Sequence, residues 1–243
     1  MLSLVGEFEP QKVKVLIEKL FVTSGGLLQP TPNFPTQPQE KLNIHAEEVE
    51  QDKISLLWPR PGFLDIPFID RQKFRLGSYI LGGSSRSLLN TRLREQLHLV
   101  YATGFSPSTR PHAGVFEAWA ATTPESTQRA VDELRQTIYK FLEKPIDNQL
   151  FQRSLNFIKS NISLSFDSLH SVSGSITYDL YWEDRIYLPE EEIELIDQIT
   201  ESQVRDILKT YLTPKNEYLA IMTKNKNLKV GWGSGQKLSP KTP

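Results

Sequence analysis

The segment Leu81–Tyr101 has the sequence LGGSSRSLLNTRLREQLHLVY, and it decides how the middle of the chain folds. The glycine pair Gly82–Gly83 suits the end of a helix whose last residue needs a positive φ. The serine pair Ser84–Ser85 can cap a second helix, which we expect to end near His98. The leucines of that helix, at four-residue spacing, predict a buried stripe beside a polar one. They are Leu89, Leu93 and Leu97, and the polar residues are Arg86, Asn90 and Arg94.

Apolar patterns predict further elements on both sides of this segment. Before it, Ile66–Leu81 has the spacing of a long helix; after it, Leu99–Phe105 and Val115–Thr122 suit paired strands. The remaining predictions are strands at Leu42–Val49, Lys53–Trp58 and Tyr218–Met222, a turn at Pro59–Gly62, and helices beginning at Thr123–Pro124, at Asp147 and at a Thr200/Gln203 capping box. This order predicts an α+β fold in which helices pack on one face of a mostly antiparallel sheet.

The pattern also predicts boundaries along the chain. A strand at Leu2–Val5 and a helix from Pro10 cannot bury their own apolar faces, so residues 1–25 are interpreted as the closing strand and helix of a preceding domain. Residues 26–41 hold four prolines and predict a linker. Residues 42–224 then form the main domain, and residues 225–243 are predicted to be a flexible tail.

Composition excludes several classes of protein. The 243-residue chain has 28 Lys and Arg against 29 Asp and Glu, so its net charge of -1 gives no general attraction for nucleic acid or an anionic membrane. It has no Cys, which excludes disulfides, thiolate zinc sites and a cysteine nucleophile. The sequence indicates neither a signal peptide nor a membrane span, and a soluble, cytoplasmic location is the default expectation.

The sequence lacks the usual patterns of a complete hydrolase site. Its four histidines are far apart along the chain, whereas a catalytic zinc needs about three converging ligands, often two His one helical turn apart. They are His45, His98, His112 and His170. The chain contains no Gly-x-Ser-x-Gly nucleophile elbow, and the glycines at 82 and 83 match neither common phosphate-binding loop. We therefore expect no metal or other cofactor to be bound by this chain.

The segment Leu81–Tyr101 nevertheless resembles the signature of the M16 peptidases, the family of insulinase and the processing peptidases. In that signature a glycine-ended helix precedes Ser-x-Leu, then Leu-Arg-Glu, and then Leu-Val-Tyr, with the spacing from Arg94 to Tyr101. Val5–Pro10 and Ile199–Val204 are similar to flanking parts of the family's domains, so the resemblance spans nearly the whole chain. Two positions depart from it: Leu88 replaces a frequent Arg, and His98 replaces the usual Gly before Leu-Val-Tyr.

The resemblance implies a clamshell of similar domains. One half carries a His-x-x-Glu-His zinc site, and the facing half contributes an Arg and a Tyr to the peptide substrate. This chain is similar to the facing half, with residues 42–224 as the C-terminal-type domain and Arg94 and Tyr101 as the pair. Without the resemblance, an Arg on a helix surface is most often only solvated, and a strand Tyr most often packs with its hydroxyl at the rim.

The resemblance leads to two functional hypotheses. In the first, the chain is the zinc-lacking, substrate-binding half of a metalloendopeptidase, and Arg94 and Tyr101 bind the peptide and stabilise the transition state. Its partners would be peptide substrates and a domain bearing His-x-x-Glu-His, which would hold the zinc. In the second, the chain is a non-catalytic scaffold or assembly subunit that keeps the fold without proteolysis.

Overall fold

The computed structural model describes residues 2–21, 41–225, 227–232 and 236–238. The helices are α1 Pro10–Leu20, α2 Phe68–Gly82, α3 Thr127–Glu143, α4 Asn148–Leu164, α5 Leu169–Trp182, α6 Pro189–Asp197 and α7 Glu201–Tyr211, with a π-helix at Asn90–Gln96. The strands are β1 Leu42–Ala46, β2 Asp52–Arg60, β3 Val100–Thr109, β4 Gly114–Thr122, β5 Tyr218–Thr223, β6 Val230–Trp232 and β7 Gln236–Leu238. The predicted α+β class is confirmed.

Five strands form one sheet in the order β1-β5-β2-β4-β3, in which only the pairing of β1 with β5 is parallel. Side chains alternate across this sheet, as the sequence of β4 predicts. Phe116, Ala118 and Ala120 are buried, whereas Trp119 on the opposite face is 36% exposed. The core therefore lies on one face of the sheet, and α2, α3 and α7 contribute its other side with Ile80, Leu134, Ile138, Val204 and Leu208 among the buried residues.

The turn predicted at Pro59–Gly62 is wrong in its first half, because β2 continues through Pro59 and Arg60. The neighbouring strand β5 ends its pairing opposite Leu57, whereas β4 accompanies β2 to Arg60. Pro59 thus lies where β2 has a neighbour on one side only, which is a position where the missing N–H of proline is tolerated.

The glycines at the end of α2 have a different role from the one their sequence predicts. Gly83 caps the helix with φ -82, so the end of α2 needs no positive φ. A Cβ at Gly82 would lie 2.0 Å from the backbone N of Phe105 and 2.5 Å from the carbonyl carbon of Gly104. Gly82 is therefore required because α2 touches the backbone of β3 directly.

The second predicted helix also differs from its prediction. Residues 83–87 form a turn, and the helix begins at Leu88 instead of following a cap at Ser84 or Ser85. Leu89 and Leu93 of the leucine stripe are fully buried as expected, whereas Leu97 is only partly buried. The polar stripe is not all solvated, because Asn90 is buried; its amide donates to the carbonyl oxygens of Ser84 and Thr103 and to the hydroxyl of Ser87.

Two helix starts follow the predicted capping chemistry, and one does not. Asp147 accepts a hydrogen bond from the backbone N of Leu150 at 2.9 Å, and Thr200 and Gln203 form the reciprocal capping box of α7. At the third start, a single 3-10 turn, Pro124–Ser126, precedes α3, and the Thr123 side chain makes no capping bond. The prediction of a regular helix from Pro124 is therefore wrong by one turn.

A buried charged network joins α3 to β5. Glu217 is 3% exposed, and its carboxylate accepts hydrogen bonds from Arg135 Nε and from the Tyr139 hydroxyl, both at 2.6 Å. Burial and the neighbouring carboxylate raise the pKa of Tyr139 well above its ordinary value, so this phenol remains a donor. The network fixes α3 across the end of the sheet.

The two ends of the chain differ from their predictions. Leu2–Val5 forms no strand, since no strand among the described residues lies beside it to complete a ladder. Within the segment predicted as a tail, Leu228 and Val230 are buried, and the Gly231 N–H donates to Gln128 Oε1, so residues 228–231 pack against the domain. Residues 22–40 lie outside the described part, and with them all but the last residue of the predicted linker. The domain boundaries themselves remain predictions.

Candidate functional site

The segment that carries Arg94 contains an uncommon helix. Between Asn90 and Gln96 the backbone is a π-helix, and the Leu97 N–H donates to the Arg92 carbonyl, five residues earlier, at 3.1 Å. A further bond runs from Leu99 N to the Leu93 carbonyl at 2.9 Å. Since π-helical turns are rare and frequently occur at functional sites, this segment is a candidate site on backbone geometry alone.

Two more irregularities follow within a few residues. His98 has φ 50, in the left-handed region that suits glycine, which gives a physical reason for the Gly that the M16 signature has at this position. In the pairing of β3 with β4, Val100 is opposite Thr122 and Ala102 is opposite Ala121, so Tyr101 is the extra residue of a β-bulge. Bulges redirect side chains and are common beside active sites.

Together these features bring Arg94 and Tyr101 to one concavity of about 380 Å³. Tyr101 is 55% exposed, and Arg94 is also exposed. Within the described part of the chain, the Arg94 guanidinium makes no hydrogen bond or ion pair. The loop before α3 supplies the opposite wall with Thr123 and Ser126. Sequence reasoning selected the pair but did not name this wall, although the predicted pairing of Leu99–Phe105 with Val115–Thr122 returns the residue after the second strand to the start of the first.

The concavity offers hydrogen-bond donors to a ligand. Tyr101 has a phenolic O–H, and Arg94 has five N–H groups in a planar fork. Donors of this kind bind carbonyl oxygens of an extended peptide and can stabilise an oxyanion. Arg94 and Tyr101 therefore offer binding and electrostatic stabilisation, and His98, which also lines the concavity, adds an imidazole, the side chain that most often serves as a general base.

The described residues do not fit a catalytic zinc ion. The closest carboxylates to two of the histidines are single ones: His45 Nε2 lies 3.7 Å from Glu47, and His112 Nδ1 lies 3.6 Å from Asp65. No group of three His, Asp or Glu side chains in the described ranges is placed to hold a metal.

None of the helices described is both long and apolar enough to cross a membrane.

Comparison with known proteins finds chains that are similar in sequence and in fold. The chain is 28% identical over 214 residues to an uncharacterised zinc protease of Rickettsia felis. The aligned region covers 86% of this chain and 49% of the relative, so this chain spans about half the length of that protein. Its fold matches a protease from Helicobacter pylori with a TM-score of 0.74 and 17% identity, over 90% of this chain and 53% of the other. It also matches a chain of Complex III2 from Candida albicans with a TM-score of 0.70 and 14% identity, over 90% and 54%.

The family itself is established by a direct match. Residues 1–157 match the family model described as the peptidase M16 inactive domain, which is well over half of the chain. The matched range includes α2, the π-helix, β3 and β4, and thus both Arg94 and Tyr101. The chain therefore belongs to the M16 peptidase family, and the part that matches is the family's inactive domain.

Proposed function

We propose that this chain is the substrate-binding half of an M16 zinc endopeptidase, active only with a partner half that bears the His-x-x-Glu-His site. The observation that carries the proposal is the clustering of a π-helix, a left-handed His98 and a β-bulge within 12 residues, Asn90 to Tyr101. Such irregular backbone costs stability, which favours a functional reason for placing Arg94 and Tyr101 in one concavity.

The first helix supports the existence of a partner half. None of the residues of α1 is buried, and Val15, Leu16 and Leu20 are each more than half exposed. Among the residues that the structure describes, none covers the apolar side of this amphipathic helix, and such a face is typical of a surface that packs against another domain. The curated relative in which this chain occupies about half the length has room for such a domain.

In this proposal Tyr101 and Arg94 bind different parts of the peptide. The Tyr101 hydroxyl donates a hydrogen bond to the oxygen on which negative charge develops during peptide hydrolysis. The Arg94 fork binds a backbone carbonyl of the extended substrate and fixes its register. The zinc and the general base would come from the partner half.

The test uses a complex reconstituted from this chain and a His-x-x-Glu-His half of the same source. Tyr101→Phe removes only the hydroxyl, and we expect kcat to fall about 100-fold or more, the usual effect of losing one oxyanion donor. For Arg94→Ala we expect a higher KM, because this variant loses contacts that the wild type makes to the bound substrate. Tyr181→Phe is the matched control, since Tyr181 is 58% exposed on α5 and lies outside the concavity. Wild-type turnover in both site variants would refute these roles.

A second candidate function is that of a scaffold subunit without proteolysis. The fold similarity to a chain of Complex III2 favours it, because that chain is described as part of a complex and not as a protease. A scaffold would bind its partner half through the same surfaces, and Arg94→Ala and Tyr101→Phe would leave assembly unchanged. Peptide cleavage by the reconstituted complex distinguishes the two functions.

A further inference from the structure

A larger concavity lies on the other side of the π-helix. It measures about 650 Å³ and is bounded by the π-helix, the C-terminal half of α3 and the start of α4. Arg92 and Gln96 of the π-helix line it, whereas Arg94 lines the smaller concavity. We call this larger concavity the α3–α4 groove.

The groove is strongly cationic although the whole chain has a net charge of -1. Its lining contains five cations and one carboxylate, and the cations are Arg86, Arg92, Lys140, Lys144 and Arg153. Arg92 is paired with Glu133, which lies outside the lining, at 3.0 Å. The carboxylate, Asp147, is engaged by the backbone N of Leu150 as the cap of α4. The other four cations of the lining form no ion pair with any residue that the structure describes.

The floor of the groove is aliphatic rather than aromatic. Leu88 and Ile146 line it and are partly exposed, whereas Leu150 and the one aromatic residue of the lining, Phe141, are buried, at 9% and 5% exposure. Single-stranded nucleic acids are usually held by exposed aromatic rings on which bases stack. A cationic rim around an aliphatic floor instead suits a polypeptide in which acidic and aliphatic side chains alternate.

We infer that the α3–α4 groove binds an acidic, aliphatic-rich stretch of the substrate peptide. The inference rests on the proposed function for its choice of substrate over another partner, because the π-helix is the shared wall between the groove and the Arg94–Tyr101 concavity. A peptide bound at both places passes over one short helix. The enzyme would accordingly prefer substrates with acidic residues at a distance from the cleaved bond.

Binding is tested on this chain alone, so that its outcome is separate from catalysis. The probe is a short fluorescein-labelled peptide in which Glu alternates with Leu, and the readout is fluorescence anisotropy at low and high NaCl. We expect saturable binding that weakens with salt, because the contacts are between exposed charges. A peptide with Lys in place of Glu should bind at least about tenfold more weakly.

Two charge reversals locate the site. Lys140→Glu lies in the last turn of α3 at the groove, and Lys209→Glu lies in the last turn of α7 outside it, so the two variants share the same helix-end context. We expect Lys140→Glu to weaken binding of the acidic peptide about fivefold and Lys209→Glu to leave it within a factor of about two. Equal affinity in the two variants would overturn the inference.

Further arms separate the alternatives. Stronger binding of single-stranded RNA or of anionic lipid vesicles than of the acidic peptide would also overturn the inference. So would the absence of saturable peptide binding up to about 1 mM, the weakest affinity expected of a specific contact. Anisotropy is measured on this chain alone and cleavage on the reconstituted complex, so that failure of the proposed function and failure of this inference give different results.

Discussion

Replacing Gly82 by Ala should destabilise the domain, and the structure allows the size of the effect to be worked out. The new Cβ would lie 2.0 Å from the backbone N of Phe105, whereas ordinary contacts begin at 3.4 Å. Both partners are backbone, so neither side can yield by rotating a side chain. Overpacking of this kind typically costs about 1–3 kcal/mol. The higher helix propensity of Ala offsets up to about 1 kcal/mol of this loss, and less than that here because residue 82 is the last of α2.

The net loss we expect for Gly82→Ala is about 2 kcal/mol in the free energy of unfolding, because a clash with backbone costs near the upper end of that range and the helix propensity of Ala offsets up to about 1 kcal/mol of it. For a chain of this size that corresponds to a Tm lower by about 4–8 °C. Urea unfolding followed by tryptophan fluorescence, to which the buried Trp58 contributes, measures this loss. Gly174→Ala is the matched control: its Cβ has nothing within 4 Å, so it should stabilise α5 by about 0.5–1 kcal/mol. A Gly82→Ala variant as stable as the wild type would refute the direct contact between α2 and β3.

Three other changes have predictable effects. His98→Gly should raise stability by up to about 1 kcal/mol in urea unfolding, because the left-handed backbone at φ 50 strains a side chain; a loss would contradict this. Arg135→Met should lower the free energy of unfolding by about 3–5 kcal/mol, because the Glu217 carboxylate stays buried without its cation. A loss under about 1 kcal/mol would contradict the role of this network. The hydrogen bond from Arg205 lowers the pKa of Glu201, so the stabilising effect is present above the ordinary pKa of Glu and is lost as the pH falls through the folded-state value. The free energy of unfolding of Arg205→Ala should therefore approach that of the wild type as the pH falls below the ordinary pKa of Glu, about 4.3, and a constant difference would refute this linkage.

Local patterns were sufficient to predict most of the fold. The alternation of Phe116 and Ala118 with Trp119 follows from the two-residue period of a strand, and the caps at Asp147 and Thr200 follow from the chemistry of helix starts. These features depend on residues close together in the chain. They are for that reason visible in a single sequence.

Features that depend on distant contacts were not predictable. Gly82 is needed because of the backbone of Phe105, and Val230 is buried because the chain returns to α3, yet neither partner is near in sequence. The identity of the candidate pair came from the M16 signature. Its geometry did not, since four-residue leucine spacing does not distinguish an α-helix from the π-helix that is present, and nothing local reveals the bulge at Tyr101.

The proposed function is tested most directly by measuring zinc-dependent cleavage of a quenched fluorescent peptide by this chain, by the His-x-x-Glu-His half, and by the two together. We predict no cleavage by this chain alone, strong cleavage by the mixture, and a decrease of about 100-fold or more when the chain carries Tyr101→Phe. Zinc-dependent cleavage by this chain without a partner would contradict the account. Full activity of the zinc half in its absence would contradict it equally.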